Sequence, residues 1–245
     1  MIRLRNPEYL GSLGQQPPDP PPEPNLVLWM DFTGADEGTT FVDRSVSANV
    51  VTPHGSAKTD NANYKSSPTS AYFLKSAKSY LSIPTGTWSN LALGDFTIEL
   101  WAWPDGAYTE SADVFGKTAS ATSFGPWRIT QEANNWRWYA ISAGGTDWVP
   151  AAGGMGGSFD PFSLGSINLN TWQHLAISRQ GTSWKFFKNG SEINSAVRTL
   201  NLWNNSDDAC VGRLTYKVDS YYFQGWVDDL KVYKGRAARW ANFTP

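Results

Sequence analysis

The sequence predicts an all-β protein: a two-sheet antiparallel sandwich with an extended, proline-rich N-terminal arm. Three observations point there. Short runs alternate apolar and polar residues with a period of two, as in Asp95–Trp103 (DFTIELWAW) and Thr171–Arg179 (TWQHLAISR). Turn-forming Gly, Pro and Asn-Gly separate those runs. No stretch carries a sustained helical period beyond a possible turn at 235–240. Strands that are apolar on one face, or on both, need partner strands and a covering sheet before they are stable.

Taken in order, residues 1–24 form the arm. Pro17–Pro24 (PPDPPPEP) favours extended polyproline II, a stiff spacer with no core of its own. The sixteen residues before it carry scattered apolar groups, Ile2, Leu4, Tyr9, Leu10 and Leu13, suited to lying on a neighbouring surface. Residues 25–245 make the domain. Asn25–Asp31 reads as the first strand, followed by a polar loop and a short strand near Val50. Ser70–Ile83 reads as two strands broken around Lys75–Lys78. In Asp95–Trp103, Phe96, Ile98, Leu100 and Ala102 share one face, and Thr97, Glu99, Trp101 and Trp103 the other. Asp113–Lys117, Trp127–Thr130 and Trp136–Ser142 are short strands. Gly144–Gly157, which holds Trp148, is a long glycine-rich loop, a common seat of function. Thr171–Val197 is a three-stranded meander. Leu175, Ile177, Trp184 and Phe186 are inward candidates there, and Asn189-Gly190 supplies the two positive-φ residues of a type I′ turn. Ala209–Leu214 and Tyr222–Tyr233 complete the set.

Composition narrows the function. With a net charge of −2 and no basic block, the chain has no electrostatic footprint for nucleic acid. No apolar run approaches a membrane span of about 20 residues, and the N-terminus lacks the continuous apolar segment of a signal peptide. A lone cysteine, Cys210, allows no intrachain disulfide, reads as a small buried group and suits folding in a reducing cytoplasm. The 13 Trp exceed what a core of this size ordinarily needs, so some are candidates for surface work.

Three ordered stretches carry a resemblance. Asp95–Pro104 (DFTIELWAWP), Thr171–Gly190 (TWQHLAISRQGTSWKFFKNG) and Phe223–Tyr233 (FQGWVDDLKVY) are similar to the strand motifs of laminin G-like, concanavalin A-like jelly-roll domains. Asp43–Ser45 agrees loosely with the Asp-x-Ser that often opens them. The resemblance spans about residues 25–245 and implies a jelly-roll sandwich. The ending Val232–Pro245 (VYKGRAARWANFTP) is similar to that of laminin G-like modules in bacteriophage virion proteins. It implies a capsid-decoration or tail-associated protein at the virion surface. The arm would attach it to other virion proteins, homo-oligomerisation would raise avidity, and the jelly roll would be displayed to a host-surface glycan. A carbohydrate-binding adhesion module of a virus or bacterium is the alternative, and a glycoside hydrolase of the same fold the weaker one.

Catalysis is not expected. Glucanases of this fold use carboxylates in a Glu-x-Asp-x-x-Glu spacing; the seven Glu here, at 8, 23, 37, 99, 110, 132 and 192, lack it. Adjacent Asp228 and Asp229 should face opposite sides of a strand, which excludes a dyad. His174 reads as packing. The fold's frequent calcium site makes Asp31, Asp43, Asn49 and Asp228, with Asp36, the candidate oxygen ligands. For a glycan, loop aromatics would stack on the sugar while Asn and Asp hold hydroxyls. The candidates are Trp127, Trp136, Trp148, Trp203, Asn134, Asn204 and Asp207, with Asn135, Asn205, Asp208 and Tyr221 beside them. Trp101, Trp172 and Trp226 read as strand packing.

Overall fold

The computed structural model describes residues 23–106, 111–117, 126–142, 148–149 (as backbone), 162–213 and 221–245. The five apolar arm residues lie outside them. In chain order the strands are β1 (Leu26–Met30), β2 (Thr52–His54), β3 (Lys58–Asp60), β4 (Ser70–Phe73), β5 (Tyr80–Ile83), β6 (Phe96–Pro104), β7 (Ala112–Lys117) and β8 (Trp127–Glu132). Then come β9 (Asn135–Ile141), β10 (Trp148–Val149), β11 (Phe162–Ser166), β12 (Gln173–Gln180), β13 (Ser183–Lys188), β14 (Ser191–Val197), β15 (Ala209–Val211) and β16 (Gly225–Lys234).

The first sheet runs β14-β13-β12-β6-β16-β4-β3, and the second β10-β9-β8-β7-β15-β5-β2, with all of these neighbours antiparallel. β11 also pairs with β9. β16 is shared: its first half pairs with β4 and its second with β1. The predicted all-β, two-sheet antiparallel sandwich is therefore present. The expected alternation is also present. Phe96, Ile98, Leu100, Leu175, Ile177, Trp184 and Phe186 are buried and join Leu28, Phe73, Leu81, Phe115 and Trp138 in one core between the sheets. Asn189 and Gly190 take φ of 49° and 78° as the tight turn requires.

Differences are local. The sequence shows no period for β3 and β11, because Lys58–Asp60 and Phe162–Ser166 are too short and polar, and β10, Trp148–Val149, pairs with β9 inside the stretch that reads as a loop. The segment after Gly235 forms no helical turn; it crosses the outer face of the first sheet. The break between β4 and β5 is a 3-10 turn, Lys75–Ala77, closed by Lys78 at φ 54°. Cys210 is buried, and burial pushes its thiol up to about 12. Among the described residues no helix is long and apolar enough to cross a membrane.

Candidate functional site

The outer face of the first sheet carries two adjoining surfaces. One is a row of aromatic rings. Trp226 in β16 lies opposite Tyr72 in β4 on one side and Trp103 in β6 on the other. Trp172, just before β12, packs its ring against Trp103. Ring centroids are 4.7 Å apart for Tyr72–Trp226, 6.4 Å for Trp226–Trp103 and 5.8 Å for Trp103–Trp172. The row therefore runs across four adjacent strands, roughly 14 Å at the ordinary strand spacing. All four rings are half-buried, so each keeps some surface open to water. Polar groups border the row: Trp226 Nε1 donates to Asp60 Oδ1 at 3.0 Å, and Lys58 Nζ lies 5.6 Å from the Tyr72 ring centroid. Their alternation places Trp103, Trp226 and Tyr72 away from the core, since Ala102, Val227 and Phe73 fill the inner face.

The second surface is ionic and closed. Glu99 and His174 sit side by side on β6 and β12, both nearly inaccessible. The C-terminal segment covers them. Arg239 clamps Glu99 with Nε at 2.6 Å and a second nitrogen at 3.0 Å, a bidentate pair. Phe243 meets His174 and Phe187 edge-on, each with centroids 5.5 Å apart, and the Ala238 amide donates to Thr97 Oγ1. Gly190 is required twice over, because a Cβ there would stand 1.8 Å from the Phe243 carbonyl. Glu99 is thus engaged by a cation rather than left as a free acid or base.

Burial, with the charges of Arg239, Lys231 and Lys65 adding to it, pushes the His174 imidazole down to about 3. In the unfolded chain it protonates near its ordinary 6.5, so below that pH the unfolded state binds more protons. His174 therefore costs stability progressively as pH falls from about 6.5 toward 3. We expect His174→Gln to flatten that loss. Urea unfolding of both proteins at pH 7 and pH 4.5 checks it, and equal pH dependence would count against the buried neutral imidazole.

Asp228 and Asp229 correct an expectation. β16 carries a bulge between Asp228 and Lys231, with Asp229 at φ 44°. Val227 and Leu230 both reach the core, and the extra residue leaves both carboxylates on the outer face. Asp228 accepts the Lys65 and Ser66 amides at 2.8 and 3.0 Å, while Asp229 takes Trp29 Nε1 and Lys231. Burial raises the Asp228 carboxyl to about 6, against those bonds and with help from the neighbouring Asp229 charge.

The residues named for calcium do not form a cation cage. Asp43 accepts five hydrogen bonds, from the amides of Trp29, Ser45 and Asn49, the Ser45 hydroxyl and the Asn49 side chain. Asp31 pairs with Arg44 at 2.6 Å, Asn49 presents its amide nitrogen to Val27 and Asp43, and Asp228 is spent on Lys65 and Ser66. A cation needs those lone pairs free. Among the described residues the acidic group that does cluster is Asp36, Glu37 and Asp60, where Lys58 already pairs with Glu37 and Asp60.

The glycan candidates scatter. Trp127 and Trp136 are core residues, sealed between the sheets; Trp136 Nε1 donates to Gln173 Oε1 at 3.1 Å. Asn134 is exposed at φ 61° in the β8–β9 turn, away from any aromatic row. Trp148 pairs with Ile141, and the Trp203 amide donates to the Ile141 carbonyl, which brings both to one end of the second sheet. Asn204 is tied to the buried Lys117 ammonium at 2.9 Å, and Asp207 lines a cleft nearby. The residues missed were Tyr72, Trp103, Trp172 and Trp226. Their outward alternation was legible in each strand; their alignment into one row was not.

A family model described as the concanavalin A-like lectin/glucanases superfamily matches residues 75–240. No curated protein matches in sequence. Among solved structures, the binding domain of Paraclostridial Mosquitocidal Protein 1 is similar over 87% of this chain and 49% of its own, with a TM-score of 0.65 and 16% identity. The botulinum neurotoxin serotype D binding domain gives 0.63 and 12%, over 89% and 49%. The chain thus spans about half the length of these toxin binding domains. Domain 4 of AbnA, an extracellular arabinanase of Geobacillus stearothermophilus solved with arabinotriose, gives 0.60 and 17%, over 88% of this chain and 95% of its own. At such identities these likenesses speak to the fold. With its two-sheet sandwich and a model match over most of its length, the chain belongs to the concanavalin A-like lectin/glucanases superfamily.

Proposed function

We propose that the protein is a carbohydrate-binding adhesion module of a bacteriophage virion, displayed at the virion surface and fastened to other virion proteins by residues 1–24. The observation that carries the binding half is the Tyr72–Trp226–Trp103–Trp172 row: four half-open rings across adjacent strands, edged by Asp60 and Lys58. Aromatic faces stack on the apolar faces of sugar rings, and the bordering polar groups can hold hydroxyls. The arabinanase domain solved with arabinotriose and the toxin binding domains lend support, as similar folds of which one was solved with an oligosaccharide and the others are binding domains. The virion half is supported by the resemblance of Val232–Pro245 (VYKGRAARWANFTP) and by the proline-rich sequence of residues 17–24. No catalytic step belongs to this reading, since Glu99, the carboxylate beside Trp101, is held by Arg239.

A glycan panel that includes arabinotriose, probed with the full chain, tests the binding half. Binding to at least one member is expected; silence across the panel sinks it and leaves a purely structural role. Deleting residues 1–22 is expected to leave glycan binding intact and abolish incorporation into particles, and retained incorporation would remove the arm from the account.

A further inference from the structure

We propose that the second sheet carries a separate binding site for an acidic sugar, in which Arg213 pairs with the ligand's carboxylate. The site lies on different elements from the aromatic row and does not rest on it. At one end of that sheet, the outward side chains of β2, β5 and β15 line an open cleft of about 460 Å³, with His54, Tyr80, Ser82, Asp207, Asp208 and Arg213 on its walls. That volume is in the range of small-ligand sites.

Arg213 is the reason to expect an anion. Its guanidinium carbon lies 4.6 Å from the Tyr80 ring centroid and 5.6 Å from that of Tyr222, so two rings hold it in place. Its Nε is buried and finds no acceptor, and no carboxylate of the described residues forms an ion pair with it. A guanidinium offers a planar fork whose best partner is a carboxylate or phosphate.

The remaining walls argue for a sugar around that anion. Asp207 and Asp208 sit in the loop between β14 and β15, which Lys117 holds through Asn204, while its ammonium also reaches Ser89 and Thr85. Asp208 accepts the Thr85 amide at 3.3 Å, and Asp207 accepts from Asn205 at 2.8 Å. Each carboxylate retains lone pairs for hydroxyl donors. His54 Nε2 and Ser82 Oγ, 2.9 Å apart, add a neutral donor–acceptor pair. Burial, then the Arg213 charge, lowers the His54 pKa and keeps the ring uncharged. Tyr80 is a wall rather than a stacking platform. His54 lies parallel to it at 4.2 Å, and the guanidinium takes up further ring surface. A bare anion would meet repulsion from both aspartates. A ligand with a carboxylate at one end and hydroxyls at the other suits both walls, as a uronic acid does.

The test uses the full chain, isothermal titration, and two probes: a galacturonic acid trisaccharide and its methyl ester, which lacks the carboxylate charge. The acid is expected to bind, and the ester to bind at least about tenfold more weakly, as for loss of a charged hydrogen-bonded partner. Arg213→Ala and Arg213→Lys should each lose a similar factor, because lysine keeps the charge but not the fork. Trp226→Ala should leave this binding unchanged, whereas a failure of the aromatic row would show instead as unaltered neutral-glycan binding in that variant. Should the Arg213 variants melt early, Ser82→Ala is the second variant and is expected to weaken the acid, because it removes a hydroxyl of the cleft without changing its charge. Absence of binding by the acid, equal affinity for acid and ester, or unchanged affinity in well-folded Arg213→Ala overturns the site. Displacement by an equal concentration of inorganic phosphate overturns its sugar specificity.

Discussion

Arg239→Ala is expected to destabilise the fold by about 3 kcal/mol, the scale for removing one partner of a buried pair. The asymmetry of the pair sets that size. Arg239 is partly open to water, with 31% of its side chain exposed, while Glu99 keeps only 2%. Losing the arginine strands a carboxylate that has no comparable partner, since His174 stands 3.8 Å away and is neutral. It also releases the middle of the C-terminal segment, so Phe243 and the Ala238–Thr97 bond lose their tether. For a chain of this length that loss corresponds to roughly 6–12 °C in Tm, with faster tryptic cleavage beyond Lys234. The double variant Glu99→Gln/Arg239→Ala should recover part of it, because no charge is then stranded. A single variant melting within about 1 °C of the wild type would show that the clamp is ornamental.

This clamp also marks the limit of what the strand pattern could tell. Thr97 and Glu99 alternate with Phe96, Ile98 and Leu100, and alternation alone reads them as a water-facing surface. The inner face was legible for that reason. The outer face was not, because what covers Glu99 arrives from a residue 140 positions later. The segment KGRAARWANF, with isolated aromatics Trp240 and Phe243 among polar and small residues, shows no period by which to place it. The β16 bulge, by contrast, leaves a trace. Val227, Leu230 and Val232 are core residues spaced three and then two apart, and a single unbroken alternation cannot produce that spacing.

The candidate sites divide along the same line. Loop position in the sequence points to Trp127 and Trp136 as surface groups, yet both begin or occupy strands whose inward register seals them in the core. Trp172 and Trp226 read in the sequence as strand packing, yet Trp226 in β16 and Trp172 just before β12 point outward into the row. Which face a tryptophan takes depends on interstrand register, and a one-residue slip reverses it. Turn chemistry is legible at Asn189-Gly190, which adopts the conformation its residues require, whereas Asp43, named for a cation, instead organises its own loop by accepting from Ser45 and Asn49.

Trp226→Ala is expected to weaken glycan binding by about 2 kcal/mol, or about 30-fold in Kd, the scale for a tryptophan at the centre of a binding surface. Trp226, like Trp103, touches two other rings, here Tyr72 and Trp103, and its indole is also held by Asp60. Removing it splits the row into two pieces and leaves Asp60 without that donor. Trp226→Phe keeps a face but loses the bond to Asp60, and should fall between the two. Because the ring is only half-buried, the alanine variant should still fold, which near-ultraviolet circular dichroism and a thermal melt establish before titration. The glycan giving the strongest panel response is then titrated into all three proteins. An unchanged Kd in a folded Trp226→Ala would place the sugar elsewhere on the molecule. A graded loss from tryptophan through phenylalanine to alanine follows only if the ligand lies on the ring itself.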